Sequence, residues 1–248
     1  MSNPTKTEVI IFTPTQHKNK VPKITTNDNG KDIELEVSQQ LKILGVYVDS
    51  NLKWDYQVTK LRQKTIGIVK HLHRVNKLLP LKTKLKLYDS LVASHLNYAD
   101  VIWSGCNQAN KQKLQGVQNF ALKSILGWKK SDSASQARQT LQYLNLEEKR
   151  NIHEAVFTHK AMSGKMPDTI LDDYRKLQSH VNNRSAAKGT LNIPIHKTSR
   201  YESSVLFRTV KSWNSTEPAI RTEATHIFKR RLQTTTIQHK YQTSSRKP

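Results

Sequence analysis

The spacing of apolar residues changes at Trp54, and that change sets the limits on what the chain can fold into. Before it the pattern belongs to strands. "IELEV" (33–37) alternates apolar and acidic residues, as a strand with one wet face does. "TEVIIF" (7–12) is a β-branched run ended by Thr13-Pro14 and reads as a strand stopped by proline. "TTNDNGKD" is a turn cluster in which Asn29-Gly30 can take the positive φ angles of a tight hairpin. "LKILGVYV" (41–48) reads as a third strand with Gly45 in its interior. A glycine there marks either a bulge or the close approach of another backbone.

After Trp54 the period is helical. Val58, Leu61, Ile68, Leu72, Val75 and Leu79 form one stripe, which ends at "LLP" because proline disfavours helix in the residue before it. A second helix opens near Pro80 and places Leu85, Tyr88, Val92, His95, Ala99 and Ile102 on one face, stopping at Ser104-Gly105. A third runs through Leu114, Val117, Ala121 and Ile125 to Gly127. The short connections suit antiparallel neighbours in a bundle. "EEKRNIHEAVFTHKAM" (147–162) is a further helix with Ile152, Val156 and His159 on one face, and "YESSVLFRTVKSWN" returns to helical character. "HIFKRRLQ" is a short basic amphipathic piece, and the last ten residues read as frayed.

The expected fold is therefore α+β: a small antiparallel sheet, then a mostly helical basic bundle, then a looser helical C-terminal region. The corresponding segments are 1–53 (sheet), 54–130 (bundle), 131–177 (helical extension), 178–200 (basic loop or linker) and 201–248 (helical end). Only 35 % of the residues are hydrophobic and the mean hydropathy is −0.68, so part of the chain is expected to pack poorly. No apolar run approaches the roughly 18 residues of a membrane span. Cys106 is the only cysteine, which excludes an intrachain disulfide and a multi-cysteine zinc site, and an intracellular location, cytoplasmic or nuclear, is expected.

Charge is unevenly placed. The net charge is +22, yet residues 1–50 hold six lysines, no arginine and six acids, so the whole excess lies in 51–248. Residues 51–130 alone carry 15 basic and 3 acidic side chains. Such a field attracts polyanions by releasing their condensed counterions. RNA or DNA, contacted through phosphates, is the expected partner, and no membrane is expected.

Two acidic segments imitate a metal site. Tyr98-Ala99-Asp100-Val101 is one carboxylate short of the Tyr-x-Asp-Asp of polymerases that copy RNA into DNA, and it falls near the end of a helix instead of at the tip of a hairpin. Asp100 is expected to face solvent there. Asp172-Asp173 are adjacent, but two-metal chemistry needs carboxylates converging on ions about 4 Å apart and a further acid from another strand. On a helix, His71 and His73 point their rings in different directions. A Gly-rich phosphate loop, Gly-x-Ser-x-Gly and His-Glu-x-x-His are all missing from the sequence. No catalytic residue, metal ligand or cofactor is expected.

The order of several motifs resembles the C-terminal part of a non-LTR (LINE-type, jockey-like) retrotransposon reverse transcriptase. "NPTKTEVIIF" is similar to the family's Asn-x-x-Lys-Thr segment, and "LKILGVYVDSNLKW" to its Leu-Gly-x-x-(Ile/Val)-Asp-x-x-Leu-x-Trp motif. "LLPLKTKLKLYDSLVASHLNYADVIWSG" and "KLQGVQNFALKSILG" resemble the thumb stretches that follow. "VKSWNSTEPAIRTEATHIFKRRL" resembles the terminal Trp-Asn pattern, with Thr216-Glu217-Pro218 where Leu-Pro is usual. The resemblance implies the end of a palm with its primer grip, a thumb and a tail. The magnesium-binding aspartates would lie before residue 1, and missing polymerase domains would be further partners. It places the primer grip at Gly45, Val46 and Tyr47, where Tyr47 either stacks on a base or packs inside.

The basic side chains beside the helical stripes complete the candidate nucleic-acid surface: Lys60, Arg62, Lys64, Lys70, Arg74, Lys77, Lys82, Lys84 and Lys86. Trp54, Trp103, Trp128 and Trp213 are expected in the core. The function expected is that of a truncated reverse-transcriptase remnant that binds template–primer without sequence preference and is no enzyme on its own. The alternatives are part of an active reverse transcriptase whose palm lies upstream or in another chain, and a basic helical protein that binds an acidic partner.

Overall fold

The computed structural model describes residues 7–12, 23–28, 31–178 and 189–242, and the chain divides into two compact units, 1–64 and 65–248. The architecture is α+β, with two small antiparallel sheets followed by helices. The change from strand to helix falls at Trp54, as the apolar spacing requires, whereas the boundary between units falls ten residues later, inside the first helix.

In the first unit, β1 (Ile24–Asp28) pairs with β2 (Lys31–Leu35), and β3 (Gln40–Ile43) pairs with β4 (Val46–Asp49). Strand β1 occupies much of the segment expected to be a turn cluster, and the pairing of Asp28 with Lys31 leaves only 29–30 between the strands. Asn29-Gly30, like Thr13-Pro14 and the "NPTK" start, lies outside the described residues. "TEVIIF" is not a strand: its one sheet-like link is a parallel bridge between Val9 and Val37, with the Ser38 N–H donating to the Val9 carbonyl at 2.8 Å.

"LKILGVYV" is two strands, not one. Leu44 and Gly45 both have positive φ (47° and 86°), the pattern of the tight hairpin turn whose twist matches its flanking strands. Gly45 thus serves a turn rather than a strand interior.

The exit from β4 is built by one carboxylate. Asp49 accepts hydrogen bonds from the backbone N–H groups of Asn51 (3.2 Å), Lys53 (2.9 Å) and Trp54 (2.7 Å), which holds Leu52 and Trp54 at positive φ. Helix α1 (Asp55–Arg74) starts at the next residue. Gln57 on its first turn accepts from the Tyr47 N–H at 2.9 Å, and Tyr56 meets Tyr47 edge to face at 5.0 Å.

In the second unit, α1 ends at Arg74, earlier than the "LLP" stop. Asn76–Leu78 tighten into a 3-10 turn that leaves Val75 and Leu78 exposed. The second expected helix is broken. It comprises α2 (Leu81–Tyr88), one π-helical turn (Asp89–Ala93), α3 (Ser94–Asn97) and, after an extended Tyr98 and a left-handed Ala99, α4 (Asp100–Trp103). A π turn inserts an extra residue, which rotates everything after it by about 100°. The buried stripe accordingly moves by one position. Tyr88 and Val92 are buried as expected, but Ala93, Leu96, Asp100 and Trp103 replace His95, Ala99 and Ile102.

The remaining helices are α5 (Gln108–Leu126), α6 (Ala134–Leu141), α7 (Leu146–Met162), α8 (Asp168–Arg175), α9 (Ser199–Glu202), α10 (Val205–Asn214) and α11 (Thr225–Gln242). Their ends carry local signals. Asn107 accepts from Asn110 N–H before α5, Gly127 closes it at φ 72°, and Asn145 with Glu148 forms a capping box at α7. Helix α7 is the centre of the unit and packs against α4, α5, α8, α10 and α11. Its apolar partners include Leu171, Tyr174, Val210, Trp213, Ile220 and Phe228.

Helix α11 runs to Gln242, well past the short piece expected. Its last turn is tied down where Tyr241 donates to the Tyr143 carbonyl (2.6 Å) and Lys240 pairs with Glu148. Residues 243–248 of the expected frayed end, and 179–188 of the expected loop, lie outside the described residues. Among the described residues no helix is long and apolar enough to cross a membrane.

Candidate nucleic-acid interface

Helix α1 is two-sided. Val58, Leu61, Thr65 and Val69 are buried and fall on one side, while Lys60, Lys64, Lys70 and Arg74 project from the other at 100° per residue. All four are exposed, and so is Arg62, which sits at the flank of the buried stripe. Lys60 is exposed and holds its Nζ over the Tyr56 ring at 5.1 Å, a cation–π contact. Lys77, Lys82 and Lys86 are exposed on the 3-10 turn and α2. Lys84 differs: it is half-buried, and its Nζ lies 3.5 Å from the Ile125 carbonyl, where it complements the negative C-terminal end of α5.

The hairpin residues separate. Gly45 is exposed at the turn tip beside Leu44, whose side chain is 87 % exposed. Val46 is buried, so its side chain is withdrawn from any ligand. Tyr47 is half-buried, its ring engaged by Tyr56 on one edge and by Lys42 Nζ at 5.4 Å. Of the two readings of Tyr47, packing is what its contacts satisfy.

The carboxylates singled out in the sequence, and Asp89 on the π turn, are each engaged. Asp100 does not face solvent: it is 3 % exposed and receives a hydrogen bond from His153 Nδ1 at 2.7 Å. The broken helix turns Asp100 inward, a direct consequence of the π turn and the left-handed Ala99. Asp89 accepts from the Tyr143 hydroxyl at 2.9 Å, and burial with this carboxylate raises the tyrosine pKa. Asp172 and Asp173 are exposed and pair with Arg175 and Lys176 one turn on. Among the described residues, no three His, Cys, Asp or Glu side chains are grouped to hold a metal ion.

Trp54, Trp103 and Trp213 are buried as expected, and Trp128 only half so. Sequence reasoning missed a second basic feature. Arg150 stacks on the Trp103 ring, and Arg208 pairs with Glu154 deep between α4, α7 and α10. "EEKRNIHEAV" contains the signal, an arginine and a glutamate four apart on a helix, but nothing local says that both turn inward.

No protein-family model matches this chain, nor does any curated protein or any solved structure.

Proposed function

We propose that the chain binds nucleic acid through its phosphates, without reading sequence, by the exposed cations of the second unit, Lys70, Arg74, Lys77, Lys82 and Lys86. It would do so as the grip, thumb and tail segment of a non-LTR type reverse transcriptase, and it performs no polymerisation by itself. The observation that carries the reading is the charge of residues 51–130: 15 basic side chains against 3 acidic ones, of which Asp100 is buried. A surface so poor in anions cannot neutralise itself, and a phosphate backbone supplies the counter-charge.

The test is fluorescence anisotropy with an RNA–DNA primer–template. Affinity should fall about a thousandfold or more between about 50 and 200 mM salt if some six phosphates are contacted. The triple variant K70A/R74A/K77A should bind more weakly to every sequence and flatten the salt dependence. Affinity that stays level with salt would overturn the reading and favour an acidic protein partner. Primer extension by the isolated chain would overturn the non-catalytic part.

A further inference from the structure

A cleft of about 410 Å³ opens in the second unit between the start of α5, the exposed edge of α7 and the outer face of α10. Its walls carry four cations, Lys111, Arg150, Arg208 and Lys211, and two carboxylates, Glu147 and Glu154. The volume falls in the range of small-ligand sites. What matters is which of these charges are already used.

Arg208 is largely spent. It donates from Nε to the Ser203 carbonyl (2.9 Å) and from Nη2 to the Val101 carbonyl (2.8 Å), and its Nη1 serves Ser104 and Glu154. Glu154 is spent as well, since one oxygen takes Arg208 and the Ser104 hydroxyl, and the other accepts from the Ser212 hydroxyl at 2.8 Å. Glu147 lies 3.5 Å from Lys111, and the nearby Asp100 is held by His153.

Arg150 is left over. It is 4 % exposed, its guanidinium centre sits 4.8 Å from the Trp103 ring, and its Nε and Nη2 are buried without a hydrogen-bond partner. Burial lowers its pKa and the charges of Asp100, Glu154 and Glu147 work the other way, yet a guanidinium keeps its proton at any ordinary pH and two of its nitrogens still lack an acceptor. A buried polar group without a partner points to an ion or water that belongs there. Lys211, exposed on α10, faces the same space.

We propose that this cleft is a phosphate-binding site, in which Arg150 and Lys211 hold a dianionic phosphate group. Two cations without a hydrogen-bonded carboxylate on one space favour a dianion over a carboxylate, and phosphate offers acceptor oxygens to both the forked guanidinium and the ammonium. The site does not depend on the basic face of α1 and α2.

The experiment uses the full chain, with thermal melting and equilibrium dialysis against inorganic phosphate at constant ionic strength and sodium chloride as control. Phosphate should raise the melting temperature more than chloride does. Lys211→Met, on an exposed position, should weaken phosphate binding about tenfold, and Arg150→Gln by more. K70A/R74A/K77A should leave phosphate binding intact, which keeps the two proposals separable. Equal stabilisation by phosphate and chloride, or an unchanged phosphate affinity in Lys211→Met, would overturn the site. A 5′-phosphorylated oligonucleotide that outcompetes its 5′-hydroxyl form would assign the phosphate to a nucleic-acid end. Phosphate binding without that preference would assign it to a small phosphate, and either supports the chemistry.

Discussion

Among the described residues of the first unit, only Val46, Trp54, Val58 and Leu61 are buried apolar side chains, and the last three belong to the helical junction or the helix itself. In the second unit Ile152, Val156, Val210, Trp213 and Phe228 join α7, α10 and α11 in one buried apolar cluster, and Glu154 on α7 pairs with Arg208 on α10. The first unit therefore owes its shape to backbone hydrogen bonds placed by particular residues: the Leu44-Gly45 turn, the three N–H groups on Asp49, and Gln57 on Tyr47. The second owes its shape to burial. A structure held by local bonds yields to single local changes by small steps, whereas one held by a core and a buried ion pair fails as a whole.

Measured losses on substitution test that contrast. The largest is expected for Glu154→Ala, which strands Arg208 in the interior: about 3–5 kcal/mol by urea denaturation. A loss under about 1 kcal/mol would show that the helical unit does not rest on this network. In the first unit, Asp49→Ala removes the acceptor of three N–H groups and should cost about 1–2 kcal/mol. Amide hydrogen exchange should then quicken at residues 51–55 and stay unchanged along α7. Faster exchange in both places would mean that the units do not answer separately.

Leu44→Asn should stabilise the hairpin by about 1 kcal/mol, because asparagine tolerates the left-handed backbone that leucine is forced into, and the exposed leucine loses little. A lower melting temperature would show that Leu44 has a packing role.

The smallest effect depends on pH. His159 is buried against Phe228, with its Nε2 donating to the Glu223 carbonyl at 2.9 Å, and burial pushes its pKa below the usual value. The native state then binds a proton less readily than the unfolded one. Stability is complete above about pH 6.5 and declines as pH falls from there through the lowered native pKa. His159→Gln should flatten this slope, and an equal acid dependence in the variant would assign it elsewhere.

Legibility followed the same division. Helices α5 and α7 could be read closely in extent, α5 because its apolar stripe runs to the Gly127 cap. The 41–48 hairpin could not, because Leu-Gly lacks the Asn or Asp that announces such a turn. The basic residues of α1 and α2 were legible as a group, and the burial of Val46 and the contact of Lys84 with the Ile125 carbonyl show only once neighbours are known. Gly105 looked like a simple helix stop, yet a Cβ there would sit 2.2 Å from the Ser203 carbonyl oxygen. The requirement comes from a segment about a hundred residues away.

What the sequence determined by itself is what depends on near neighbours along the chain: the switch from strand to helix at Trp54, the helix caps, and the excess of positive charge after residue 50. The tertiary structure decided which polar groups turn inward. The π turn at Asp89–Ala93 shifts the helix face so that Leu96 and Trp103 are buried, and Asp100 meets His153. Burial of Arg150 and Glu154, and the half-burial of Arg208, likewise depend on α4, α7 and α10 meeting, since no local preference places a charge in an interior that penalises it.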